Sequence, residues 1–457
     1  MDTTYDVRIW KTEIYEGIRT ITYTVRWKVG PRPRKETFRT AALADGFRSD
    51  LVTAARRGEA FGIESGLPMS MEREHRKLSW LDLATEYVDM KWPHLAPNSR
   101  RNTARALTAA TLAMLTSERG RPPTEELRTA LATWAFNSRA RSGAEPPAGV
   151  AATMRWLSRN VRDVGEWAEP AVARTMLDAI AKKADGTPAA AETVQRQRGV
   201  IVNLAEYAVE RTLLVKNPVT SLAWKAPKIA RALDKRSVVN PDQARTLLAA
   251  VRAQKPSGAR LVAFFGAMYF AALRPSEAAT LRRSNLILPT TDGWGELLIE
   301  FSTPTAGSPW TNSGQRREQR QLKHRAAGDT RSIPCPPELT VHLREHLDQF
   351  DTVSDGRLFG GVRGGQLSES TYCRVWRKAR EEALTAEEVA SPLAARPYDL
   401  RHAAVSTWLN AGVPSTQVAE WAGHSVAVLH MVYAKCIVGQ EEAARRRIAT
   451  ALGSPEP

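Results

Sequence analysis

From position 19 to 29 apolar and polar residues alternate. Ile21, Tyr23, Val25, Trp27 and Val29 interleave with Thr20, Thr22, Thr24, Arg26 and Lys28. A period of two puts one set on a single face of a pleated strand, so the segment predicts a half-buried β-strand. Tyr5, Val7 and Ile9 predict an earlier strand, and the turn Gly30-Pro31-Arg32-Pro33 leads to a third near Thr37-Phe38-Arg39. A helix over about 41–57 stops at Gly58, a residue type suited to the left-handed conformation that ends helices. Residues 1–62 thus read as a small three-stranded sheet plus one helix.

The period changes from residue 77 onward. Ser79 and Asp82 have the spacing of an N-terminal cap, and Trp80, Leu83, Ala84, Tyr87 and Val88 form one helical face. A helix after Pro97-Asn98-Ser99 carries Arg100, Arg101 and Arg105, and further helices are expected over 125–137, 149–159, 170–182 and 191–211. Trp134, Trp156, Leu157 and Tyr207 are expected in the core of this all-helical domain, residues 77–222. A basic segment without periodicity, 223–238, reads as a linker. Asn240-Pro241 then starts a helix, with a capping residue followed by proline at the first helical position. Residues 239–457 read as one mixed domain, mostly helical, with strands near 296–301, 317–322 and 331–334. The fold class expected for the chain is mainly α with small β-sheets (α+β).

Charge narrows the function. The chain of 457 residues carries a net charge of +16, which points to a polyanionic partner, most often nucleic acid. Arg26 and Lys28 on the first sheet, and Arg100, Arg101 and Arg105 in the helical domain, are the candidate DNA contacts. No apolar run is long enough to span a bilayer, and the polar start Met1-Asp2-Thr3-Thr4 is unlike a signal peptide. The three cysteines Cys335, Cys373 and Cys436 are too scattered for a disulfide framework or a zinc site, so a cytoplasmic setting and no metal are expected.

Four local patterns in the last domain matter as a set. Arg274 precedes a helix-starting proline in Leu273-Arg274-Pro275-Ser276-Glu277, and Glu277 is spaced to hold its guanidinium. Lys323 falls near the tip of an expected hairpin between Arg320-Gln321-Leu322 and Arg331-Ser332-Ile333-Pro334. In Tyr398-Asp399-Leu400-Arg401-His402, the stripe of Leu400, Ala403, Ala404 and Trp408 is expected to be buried, leaving Arg401 and His402 near an edge of the helix. Gly423 breaks a helix and puts His424 at a turn, with Tyr433 following in Val432-Tyr433. Each pattern alone is ordinary: a structural ion pair, a solvated lysine, a core tyrosine. Their order together is not.

That order resembles the tyrosine recombinases, or phage integrases, of bacterial mobile elements. The resemblance is strong over roughly 235–450, looser over 77–222, which looks like the family's helical core-site-binding domain, and weakest over 1–60, which is similar to an arm-site-binding domain. It implies Arg274, Lys323, Tyr398, Arg401, His424 and Tyr433 as the catalytic set, with Tyr433 the nucleophile. The family's box usually opens with histidine where this chain has Tyr398. A phenol can hydrogen-bond, but with an unperturbed pKa of about 10 it is a poor base near neutrality. His402 is not assigned that role, because successive helical residues diverge by about 100°.

The resemblance further implies cleavage and rejoining of DNA through a 3′-phosphotyrosyl link, without metal, ATP or other cofactor. Arg274, Arg401 and His424 would donate to the phosphate oxygens as charge develops on them. Lys323 would protonate the leaving 5′ oxygen. The implied partners are double-stranded DNA at attachment sites, three further copies of the chain in a synaptic tetramer, and an excisionase or DNA-bending protein. A nucleoid location in a bacterial cytoplasm follows. Three rivals are a nicking enzyme like the type IB topoisomerases, a DNA-binding regulator with a dead site and a purely structural nucleoid protein.

Overall fold

The computed structural model describes residues 3–16, 20–71, 78–229, 232–322, 328–436 and 441–452. It comprises two compact units, Met1–Lys228 and Ile229–Pro457.

The first unit opens with a sheet whose central strand is the alternating segment, Ile21–Val29. One edge pairs antiparallel with Arg32–Phe38. The other pairs with two shorter segments, Val7–Ile9 and Glu13–Glu16. The backbone N–H of Trp10 donates to the carbonyl of Arg26 at 3.0 Å between them. The sheet therefore has three lanes, the first in two pieces. Glu13–Glu16 offers no alternation to read, because all four of its residues are exposed. Val25, Trp27 and Val29 are buried against Ala44, Leu51 and Ala54 of the Ala41–Arg56 helix. Arg26 and Lys28 lie on the opposite, exposed face, with Arg26 paired to Glu13 at 3.2 Å.

The helical part of this unit begins at Trp80–Lys91, where the Ser79 hydroxyl accepts from the Asp82 N–H at 3.1 Å. Pro97–Ala113, Ala148–Asn160, Pro170–Ile180 and Ala191–Glu210 follow, and Thr124–Thr129 runs on into a wider π-turn, Ala130–Ala135. The tryptophans at the centre are Trp80 and Trp167, edge to face at 4.7 Å. Of the four residues expected in the core, only Leu157 is fully buried; Trp134, Trp156 and Tyr207 are half-buried. Trp156 sits at the rim because its indole N–H donates to the Arg119 carbonyl.

In the second unit, Asn240 and Gln243 cap the Pro241–Ala253 helix reciprocally. Val262–Phe270 is apolar all round and buried at every residue but Phe270, as a central helix must be. It packs against Pro241–Ala253, Pro337–Gln349 and Asp399–Asn410. A three-stranded antiparallel sheet is formed by Leu286–Ile287, Gly295–Ile299 and Arg331–Cys335.

The hairpin expected around Lys323 takes a different form. Arg320–Gln321 pairs with Phe301–Ser302, and Arg331–Cys335 pairs with Gly295–Ile299. Both segments thus pair with the stretch 295–302 rather than with each other, because that longer strand satisfies their backbone groups. Lys323 lies outside the described residues. In the same chain, Arg447 of the C-terminal helix Glu441–Ala451 donates to the carbonyls of Ala411 and Gly412 at 3.2 and 3.3 Å. No helix among the described residues is long and apolar enough to cross a membrane.

Candidate active site

Glu277 is the centre of the site. It lies on the short helix Pro275–Ala278, started by the proline after Arg274, and is 2% exposed. One carboxylate oxygen accepts from the backbone N–H of Arg274 at 2.9 Å, and the other from its guanidinium at 2.8 Å. Arg331, itself 1% exposed, donates to both oxygens at 3.2 and 2.8 Å. Burial alone would raise the pKa of such a carboxyl. Arg331 and Arg274 outweigh that and hold Glu277 well below the usual range. Arg274 is thereby fixed, and its second nitrogen donates to the Gly423 carbonyl at 2.8 Å.

Arg401 is fully buried, not at the helix edge where its spacing suggests. Its guanidinium donates to the carbonyls of Ala272 and Ala422 and contacts His424 Nε2 at 2.7 Å. A guanidinium has no acceptor site, so His424 must accept through Nε2. The ring hydrogen then sits on Nδ1. Burial first, then the nearby charges of Arg401 and Arg274, lower the His424 pKa to about 3, so the ring is neutral. Ala272 offers its carbonyl from a left-handed backbone, φ 50°, unusual for a non-glycine residue and a mark of local strain.

Among the described residues, three buried donors here have no protein partner: Arg331 Nε, Arg401 Nε and His424 Nδ1. An unmet buried donor costs roughly 1–3 kcal/mol, which an incoming anion can offset.

Tyr433 ends the Val426–Tyr433 helix and is fully buried. Leu233 N–H bonds the Val432 carbonyl at 2.8 Å, and Asn410 bonds the Cys436 carbonyl at 3.0 Å, fixing the chain on both sides. Its hydroxyl lies 2.9 Å from Nδ1 of His402. The expectation that His402 points away from the site is therefore corrected. Arg401 and His402 do diverge around the helix, but Tyr433 approaches from the His402 side. Burial raises the Tyr433 hydroxyl above its ordinary pKa, with Arg401 opposing. Burial likewise lowers His402 to about 4. Tyr398 lies edge-on to His402, with ring centroids 5.1 Å apart.

Of the residues proposed from sequence, Arg274, Tyr398, Arg401, His424 and Tyr433 converge here, and Glu277, Arg331 and His402 join them. Among the described residues, no group of three or more His, Cys, Asp or Glu is arranged to hold a metal. The candidate DNA contacts fare differently. Arg26, Lys28 and Arg105 are exposed and Arg101 is half-buried. Arg100 is 3% exposed, its Nε bonded to the Trp92 carbonyl at 3.0 Å and its guanidinium stacked 4.5 Å from that ring. It is a packing residue, held inside by the ring it covers. Arg105 lines a cavity of about 840 Å³ together with Arg128, Lys182 and Lys183, which their separation in sequence conceals.

Gly423 gives the first prediction. It ends the Ser415–Ala422 helix at φ 63°, and a Cβ there would collide with the Arg331 guanidinium and crowd Arg274. Gly423→Ala is expected to cost about 1–3 kcal/mol, seen as faster hydrogen exchange in the helix Ser415–Ala422 than in the wild type. Unchanged exchange there would mean that the clamp tolerates a methyl group. A second prediction follows from the neutral histidines. His402 and His424 have pKa values of about 4 and 3, against an ordinary 6.5. The unfolded chain takes up protons below 6.5 while the folded site does not, so their contribution is complete above that value and is lost as pH falls through about 4. The calorimetric transition of the second unit should fall between pH 7 and pH 5, and fall less in His424→Gln.

Residues 237–436 match the phage integrase family. No curated protein matches the sequence. Among solved structures, the chain is similar to the Tn1549 transposon integrase in complex with transposon right end DNA, at 16% identity and TM-score 0.48, covering 70% of this chain and 98% of that one. It is also similar to XerH site-specific recombinase bound to palindromic difH substrate, at 13% identity and TM-score 0.45, covering 82% and 97%. A lambda integrase dimer bound to a COC′ core site is similar at 14% identity and TM-score 0.42, covering 64% and 90%.

Proposed function

We propose that this chain, whose residues 237–436 match the phage integrase family, is a site-specific tyrosine recombinase that integrates or excises a mobile element. The observation that carries the reading is a pair of unmet buried donors, Arg401 Nε and His424 Nδ1, in the same site as Arg274 and the Tyr433 hydroxyl. A phosphodiester is an anion with oxygens to receive such donors. Tyr433 attacks phosphorus, and negative charge grows on the non-bridging oxygens. Donors already fixed by Glu277 and the carbonyls of Ala272 and Ala422 stabilise that charge with little reorganisation. The product is a 3′-phosphotyrosyl link and a free 5′ hydroxyl, with Lys323 supplying the leaving-group proton. The link conserves the bond energy, so rejoining needs neither ATP nor metal.

The remaining domains are assigned by the family resemblance, and their DNA-facing residues by charge. Residues 1–62 bind arm-type DNA through the face bearing Arg26 and Lys28. Residues 77–222 bind core DNA, with Arg101 and the cavity of Arg105, Arg128, Lys182 and Lys183 toward phosphate. Residues 223–238 link them to the catalytic domain, 239–457. The working assembly is a tetramer on two duplexes at the nucleoid. An excisionase or DNA-bending protein sets direction.

The test is covalent trapping. The full chain is incubated with duplexes tiled across the DNA that flanks its own gene, quenched in detergent and digested. A nucleotide attached through its 3′ phosphate to the Tyr433 peptide is the expected mass. Duplexes that are bound and shifted without any adduct would convert the reading to that of a DNA-binding regulator.

A further inference from the structure

We propose that His402 is the proton acceptor of the cleavage step: its Nδ1, 2.9 Å from the Tyr433 hydroxyl, takes the phenolic hydrogen as that oxygen attacks phosphorus. The inference rests on the recombinase reading and names the group that reading lacks. Tyr433 is fully buried and its hydroxyl is held protonated, so the nucleophile needs a base in contact with it.

The other neighbours are unsuited. Arg274 and Arg401 are permanent donors. His424 has its Nε2 lone pair committed to Arg401. Tyr398 is itself a phenol, a poor base near neutrality. His402 has a ring nitrogen aimed at the reacting oxygen, at hydrogen-bond distance, and is neutral at ordinary pH. Its ring is steadied by Tyr398 edge-on at 5.1 Å and by Tyr433 at 5.7 Å.

The charged and titratable groups around His402 are known. Asp399, Arg401 and Tyr398 come from its own helix and cap, Arg396 from the preceding turn, His424 from the Gly423 turn and Tyr433 from the last helix. Asp399 is occupied by Arg396, through its backbone N–H at 2.8 Å and its guanidinium at 2.9 Å, so it does not compete for the proton.

The step balances. The Tyr433 O–H bond breaks and its proton forms an N–H bond on His402 Nδ1. The phenolic oxygen bonds to phosphorus, the bond from phosphorus to the 5′ oxygen breaks, and that oxygen takes a proton from Lys323. Rejoining runs the same transfers backward: Lys323 recovers its proton from the attacking 5′ hydroxyl, and the imidazolium returns one to the departing phenolate.

The experiment measures the rate of adduct formation by the full chain on the trapped flanking duplex. His402→Asn keeps a side-chain acceptor near the Nδ1 position but cannot carry the proton. It is expected to react at least 100-fold more slowly at pH 7, with its rate rising about tenfold per pH unit as hydroxide substitutes for the base. A duplex with sulfur in place of the 5′ bridging oxygen leaves as a thiolate without a proton. It should rescue a Lys323→Ala variant and leave His402→Asn slow. A second variant, His402→Ala, should regain adduct formation when imidazole is added, which a merely misfolded site would not. If His402→Asn reacts at the wild-type rate with the wild-type pH profile, the proposal is overturned while the recombinase reading stands. If the wild type binds DNA but forms no adduct, both fall.

Discussion

Replacing Tyr433 by Phe is expected to abolish the covalent adduct while leaving DNA binding within a fewfold of wild type. The change removes one oxygen. That oxygen is the nucleophile in the proposed reaction. Loss of an enzyme's nucleophile commonly costs on the order of 10⁴-fold or more in rate, because the fixed donors that remain cannot form the bond. The stability effect should be small. The hydroxyl gives up one hydrogen bond, to His402, worth about 1 kcal/mol, and the ring keeps its packing against the helices around Leu429 and Val418. The measurement pairs a denaturing gel, which reads the adduct, with a mobility shift on the same duplex. Adduct persisting in Tyr433→Phe would move the nucleophile to another residue. Loss of binding together with loss of adduct would show instead that Tyr433 supports the fold of the site.

How much of this site is legible in the sequence differs from residue to residue. Order and spacing identify Arg274, Arg401, His424 and Tyr433, because the resemblance lies in those motifs. The span from Glu277 to Arg274 also suggests their ion pair, since three residues on a helix start bring side chains together. Arg331 has a readable signal of a different kind. It shares the inward face of its strand with Ile333 and Cys335, all three buried, as period two requires. An arginine on that face needs a buried carboxylate, although only the fold shows that it is Glu277. His402 is not legible. Helical geometry gives its direction relative to Arg401, but not the side from which Tyr433 arrives, which is set by the turn at Gly423 and the anchoring of Val432 to Leu233. Arg100 fails for the opposite reason. An arginine among arginines reads as a DNA contact until the Trp92 ring and carbonyl that enclose it are seen. Among the small elements, exposed Glu13–Glu16 and the split pairing of 320–335 depend on partner strands, and their local sequence carries little of that information.

Glu277→Ala is the second large effect, and it tests the architecture apart from the chemistry. The carboxylate never touches DNA in the proposed mechanism. It binds Arg274 and Arg331 directly and lowers the electrostatic cost of holding Arg401 in the same buried region. Surface ion pairs are worth little, but removing one partner of a buried pair typically costs about 3–5 kcal/mol because an uncompensated charge remains inside. Here two guanidiniums would lose their anion, with a third close by. The alternatives open to the site are to admit water or to move Arg274 outward, and either misplaces a phosphate donor. Glu277→Ala should therefore speed hydrogen exchange across Pro275–Ala278 and Arg331–Cys335, and lower adduct formation by about 10²–10³-fold, the usual cost of losing one preorganised donor. Glu277→Gln keeps the shape and loses the charge. It should resemble Glu277→Ala in rate more than it resembles wild type, since an amide presents an N–H₂ group to one of the two arginines. Should Glu277→Gln react normally, shape and not charge would be what holds Arg274, and the phosphate donors would owe their placement to the Gly423 carbonyl instead.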